Sequence, residues 1–150
     1  MASFASLHQE IHDITEKNNV FRYLIQDRFM CDTKIVENLF FDYVKLVKKH
    51  MEQVDREFCR QLLSHETQTV RNTANRFLSG SSEIKRIFAD YLKHYCSPPH
   101  QCLRIKDHAR FLEDTNQMFD LVLDRIERET EHLYPLIRSL EIQTEEKKAA

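Results

Sequence analysis

The fold class this sequence predicts is all-α, an antiparallel up-down four-helix bundle, and three observations predict it. The 150 residues hold one glycine, Gly80, and three prolines, Pro98, Pro99 and Pro135. That is too few breakers for a sandwich or barrel with many tight turns. Apolar residues make up 41% and charged residues 31%, the balance of a chain that buries one face of each helix. The apolar positions recur at helical spacing in four stretches of roughly 25 to 35 residues with mostly short joints.

The first stretch begins near Ser6, whose spacing to Gln9 matches a capping box, and sets Leu7, Ile11, Ile14, Phe21 and Ile25 on one face. The second runs from after Asp32 to about Ser64, with Val36, Leu39, Phe40, Tyr43, Val47, His50, Val54 and Phe58 inward. The third runs from about Thr67 to Cys96 on Val70, Phe77, Ile84, Ile87, Phe88, Tyr91 and Tyr95. Gly80 falls inside that stripe, where glycine costs ~1 kcal/mol against alanine, and so predicts a kink or a close approach of two helices. Pro98 and Pro99 mark the next joint. The fourth stretch runs from about Lys106 to Leu140 and carries Phe111, Phe119, Val122, Ile126, Leu133, Ile137 and Leu140. One domain over 1–141 with a solvated tail over 142–150 is the expected organisation.

Composition also excludes functions. One glycine cannot build a phosphate-cradling or dinucleotide-binding loop. The net charge of −2, with both signs mixed along the chain, gives no basic stripe for nucleic acid. No apolar run reaches the ~18 residues of a membrane span. The start, Met1 to Leu7, lacks the basic residues and apolar run of a signal peptide. Four cysteines in that context read as reduced thiols in a cytoplasm. No nucleophile, base and orienter stand in a local arrangement, so the chain is expected not to be an enzyme.

The segment Arg125-Ile126-Glu127-Arg128-Glu129-Thr130-Glu131-His132-Leu133-Tyr134-Pro135 resembles the last helix of hemerythrin-like proteins, where an inward His precedes a carboxylate and a Leu-Tyr/Phe-Pro stop. The helix from His50 to Leu63 resembles the family's His-x-x-x-Glu helix, and Ser6-Leu7-His8-Gln9-Glu10-Ile11 its opening. The likeness spans roughly residues 6–140. It implies a hemerythrin-like bundle with a di-iron centre of imidazoles and bridging carboxylates. The ligand positions depart from that pattern. Ile11 stands where the first-helix His belongs, Val54 where a carboxylate belongs and Arg125 where the fourth-helix His belongs. The inward face of the third helix offers Phe77, Gly80, Ser81 and Ile84 but no His. His50 and Glu129 remain, too few for iron, which takes five or six donors.

The expectation is therefore a degenerate, metal-free centre in which Glu129 pairs with Arg125 or His50. On that view His50→Leu costs little or gains modestly. The alternative is an iron-binding oxygen or redox sensor with non-standard ligands drawn from His8, His12, His50, Glu129 and His132. The stretches His50-Met51 with Asp55-Arg56, and Arg125 to Thr130, also resemble the Rsd/AlgQ family of bacterial anti-sigma regulators. That resemblance implies a regulatory module whose partner is a sigma factor or signalling protein.

Two other groupings carry expectations. His94, Cys96, His100 and Cys102 gather two imidazoles and two thiols around Pro98-Pro99, a donor set zinc accepts, though not at a finger spacing. They read otherwise as incidental loop residues. Lys45, Lys48, Lys49, Arg56 and Arg60 form an outer strip of the second helix, read as a solvated face rather than a partner surface.

Overall fold

The computed structural model describes residues 4–96 and 102–149; Pro98, Pro99 and His100 lie outside them. The described chain is all-helical, four long helical spans around a shared interior, with no strand beyond one bridge between Cys96 and Leu103. Among the described residues no helix is long and apolar enough to cross a membrane.

Helix α1 (Phe4–Leu24) is already helical at Phe4, so Ser6 sits inside its first turn and is not the N-cap. Leu7, Ile14, Phe21 and Ile25 are buried as the periodicity requires, Ile11 is only half-buried, and Asn18 joins the stripe. A 3₁₀ turn (Met30–Asp32) leads to α2 (Lys34–Val54), where the Thr33 hydroxyl accepts the Val36 N–H at 3.3 Å and so satisfies a free N-terminal donor. The helical path continues through a π-turn (Asp55–Cys59) into the short α3 (Arg60–Leu62).

Helix α4 (Gln68–Tyr95) follows Thr67 and passes Gly80 without interruption, so the kink is not there. Its buried positions, Val70, Ala74, Phe77, Ser81, Ile84, Phe88, Tyr91 and Tyr95, repeat at three and four residues, the spacing of one helix face. Helix α5 (His108–Arg128) starts at Asp107, whose carboxylate accepts the Arg110 N–H at 3.1 Å. A second π-turn (Glu129–Leu133) passes the chain into α6 (Tyr134–Ala149).

Pro135 therefore does not stop the last helix, and the segment expected as a tail is helical to Ala149. A proline ring collides with the carbonyl four residues back in a regular α-helix. The widened turn before Pro135, closed by the Tyr134 N–H on the Glu129 carbonyl, displaces that carbonyl and lets the helix continue.

The apolar interior is two clusters rather than one. The larger holds Phe21, Phe40, Tyr43, Met51, Phe88, Phe111, Phe119 and Ile126 among others. Its rings stack closely, Tyr43 on Phe119 at 4.2 Å and Phe21 on Phe119 at 5.2 Å between centroids. The smaller holds Leu7, Val54, Cys59, Ala74, Phe77, Leu133 and Ile137. On every long span the chain leaves one cluster and enters the other across the same polar level. Ile11, at that level, touches both clusters.

Candidate functional site

Between the two clusters lies a closed layer of buried charge. His50 comes from α2, and its ring is held from both sides. Nδ1 is 2.9 Å from the Glu10 carboxylate of α1, and Nε2 is 2.7 Å from Glu129. Glu129 is fully buried, and its other oxygen takes the Arg125 Nε–H at 3.0 Å. The Tyr134 hydroxyl donates to Glu129 at 2.9 Å. Arg125 reaches across to α4, donating to the Phe77 carbonyl at 2.7 Å, and its guanidinium lies 4.9 Å over the Phe77 ring. Its remaining arm is 3.4 Å from Asp55, which accepts the Ser81 hydroxyl at 2.8 Å.

The electrostatics follow from this arrangement. Burial alone would drive His50 toward the neutral form, but the hydrogen bond and charge of Glu129, then those of Glu10, outweigh it and raise its pKa. Burial likewise opposes ionisation of Glu129, yet His50, Arg125 and Tyr134 together hold it below the usual carboxylate range. Asp55 goes the other way. Its desolvation exceeds the help from Ser81 and from Arg125, so its pKa is raised. Glu129 is thus the anion and His50 the cation of a paired interior, an arrangement that avoids the cost of an isolated buried charge.

The structure brings together His50, Arg125 and Glu129 from the residues the sequence singled out. Val54 packs in the smaller apolar cluster, and Ile11 borders the layer. His8, His12 and His132 do not reach it. His8 is exposed with its ring against Tyr134, His12 is exposed beside Glu16 at 3.7 Å, and exposed His132 lies 3.9 Å from Glu131. The iron ligand set drawn from these residues is therefore not assembled, because they occupy outward positions of α1 and of the second π-turn.

Neither does the remaining pair fit iron. Both ring nitrogens of His50 face carboxylates, and both oxygens of Glu129 already bind a donor. The guanidinium places fixed positive charge where the metal would sit. Among the described residues no three His, Cys, Asp or Glu side chains converge to hold a metal ion.

For the zinc expectation, His100 lies outside the described residues. His94 is exposed on α4 and meets the Tyr95 ring edge-on, while Cys96 and Cys102 are half-buried. Burial, with a contribution from Cys102, pushes the Cys96 thiol up to about 11, away from the thiolate that zinc binds. The basic strip Lys45, Lys48, Lys49, Arg56 and Arg60 is exposed throughout.

Sequence reasoning passed over Glu10, Asp55 and Tyr134 as members of the layer. Glu10 was legible, since it lies three residues from Leu7 and four from Ile14 on the buried stripe. Asp55 was not legible, because an uninterrupted α-helix turns it about 100° from the inward Val54 and the π-turn that begins at Asp55 changes that angle. Chemically the layer offers no open reaction site. His50 has no free nitrogen, Ser81 is committed to Asp55, and burial pushes the Cys59 thiol up to about 12.

Comparison with known proteins finds no matching family model, no matching curated protein and no matching solved structure.

Proposed function

We propose that this chain is a metal-free, antiparallel up-down four-helix bundle of the hemerythrin-like type that works as a non-enzymatic, protein-binding regulatory module. The antiparallel reading is supported by descending pairings: Asn18 with Phe119 and Arg22 with Asn116 between α1 and α5, Phe77 with Arg125 and Tyr91 with Thr115 between α4 and α5. The observation that carries the functional reading is a set of large side chains left in solvent around the α1–α2 joint. Tyr23 is 74% exposed, Phe29 85% and Ile35 67%. Scattered apolar residues at a surface need no explanation, but Phe29 in the connection, with Tyr23 at the end of α1 and Ile35 at the start of α2, has the composition of an interface anchor. The anti-sigma resemblance makes a sigma factor or signalling protein the partner class, in a cytoplasmic setting.

The test is capture from the native host with the full chain as bait, beside a Tyr23→Glu/Phe29→Glu variant. A single regulatory protein retained by the first and lost by the second, at unchanged helicity, is the expected result. Equal recovery by both baits, or no retained protein, overturns it. Native, untagged protein carrying about two irons per chain, the stoichiometry of a di-iron bundle, would sink the metal-free part.

A further inference from the structure

A cleft of about 650 Å³ opens between α4 and α5 and runs onto the first turn of α6, separate from the α1–α2 joint. That volume is in the range of small-molecule sites, roughly 300–1,000 Å³. Phe77 lies opposite Arg125, and Tyr91 opposite Thr115. Arg76 and Arg128 therefore fall near the middle of the cleft, with Ile84 and Leu121 on one side of them and Val70 and Leu136 on the other.

Leu121 is 40% exposed, an apolar group left open in the cleft wall. Arg76 and Arg128 are exposed and make no ion pair among the described residues, so their charges are uncommitted. The lining also holds two carboxylates, Asp124 and Glu83, the latter 3.8 Å from the exposed Arg86. The lining therefore carries three guanidiniums, Arg76, Arg125 and Arg128, against two carboxylates.

Gly80 forms part of the lining and explains why the cleft is open there. A Cβ at this position would stand 3.2 Å from the Arg125 Nη1, so any side chain would crowd the guanidinium. The chain's single glycine thus sits at mid-helix, at a cost in helix propensity, where its lack of a side chain keeps the cleft deep.

We infer that this cleft binds a small amphipathic carboxylic acid, with its apolar body along Ile84, Leu121 and Phe77 and its carboxylate between Arg76 and Arg128. An apolar wall alone would accept any hydrophobe. The two uncommitted guanidiniums select an anionic head, because paired arginines hold a carboxylate through charge-assisted hydrogen bonds.

The experiment is calorimetric titration of the full chain with decanoate, repeated with decanol and with the variants Arg76→Glu/Arg128→Glu and Leu121→Gln. Both variants alter exposed side chains, and unchanged circular dichroism checks that they fold. Expected are saturable one-to-one binding of decanoate, affinity weaker by about tenfold or more for decanol and for the double arginine variant, and a loss of about threefold or more for Leu121→Gln. Absence of saturable binding to the parent chain overturns the inference. So does decanol binding as tightly as decanoate, or full affinity in the double arginine variant.

Discussion

His50 shows how an interior side chain changes its energetic role with its neighbours. As an isolated core histidine it could be replaced by leucine at little cost. Held between Glu10 and Glu129, it pairs with both, and Arg125 supplies the second cation on Glu129. Removing one partner of a buried ionic cluster strands the other at a cost of about 3–5 kcal/mol. His50→Leu is therefore expected to lower stability by that order, read from the urea midpoint; a neutral or stabilising result would show that the layer is not ionised.

The same residues set a pH window. The pKa of His50 is raised from 6.5, so its contribution is complete below 6.5 and is lost as pH rises through the raised value. Glu129 is lowered from 4.5, so its contribution is complete above 4.5 and is lost as pH falls through the lowered value. Asp55, raised from 3.8, contributes at low pH and loses that contribution as pH rises, which softens the acid limb. Thermal midpoints are expected to be highest between 4.5 and 6.5, and His50→Gln is expected to flatten the decline above 6.5. A midpoint indifferent to pH between 5 and 9 in the parent chain would contradict this, a span chosen to bracket the ordinary histidine value of about 6.5. Glu129 and Arg125 were legible as a pair because four residues separate them on one helix. Glu10 joins His50 across forty residues of sequence, and only packing makes that contact.

At the scale of elements, the two π-turns decide the site. They begin at Asp55 and at Glu129, the two acids that Arg125 bridges. An extra residue in a turn advances the stripe by about 100°, so Val54 and Asp55, adjacent in sequence, are both buried. Helical periodicity located α2, α4 and α5 closely because their stripes are long and regular. It missed the π-turns because each replaces i→i−4 bonds with i→i−5 bonds without changing the residue types that a stripe is read from.

Gly80 adds a prediction at this scale. Gly80→Ala offers up to ~1 kcal/mol of helix propensity, but the new Cβ meets a guanidinium already fixed on the Phe77 carbonyl. The net gain is expected to be smaller than that of exposed Ser82→Ala on the same helix, compared by chemical denaturation. A larger gain at position 80 would mean that Arg125 moves freely.

Over the whole molecule, the polar layer divides the apolar interior without dividing the fold. The four long spans cross it continuously, so both clusters are expected to melt in one transition. Phe119→Ala in the larger cluster should cost about 3–5 kcal/mol and Leu133→Ala in the smaller about 2–5 kcal/mol. Fourteen residues of helix place the two sites roughly 20 Å apart at 1.5 Å per residue. The double variant is therefore expected to be additive within about 0.5 kcal/mol, and two separate melting steps would show that the layer uncouples the halves. The sequence by itself determined that the chain is helical, where the long helices lie and which faces are apolar, because those properties are local and repeat every three or four residues. Tertiary structure alone decided that Glu10, Asp55 and the neutral Tyr134 hydroxyl close the polar layer around His50, Arg125 and Glu129, and that Gly80 opens a cleft. Each of these depends on which side chains distant parts of the chain bring to the same depth, where low polarity makes every unpaired charge costly and so selects the partners.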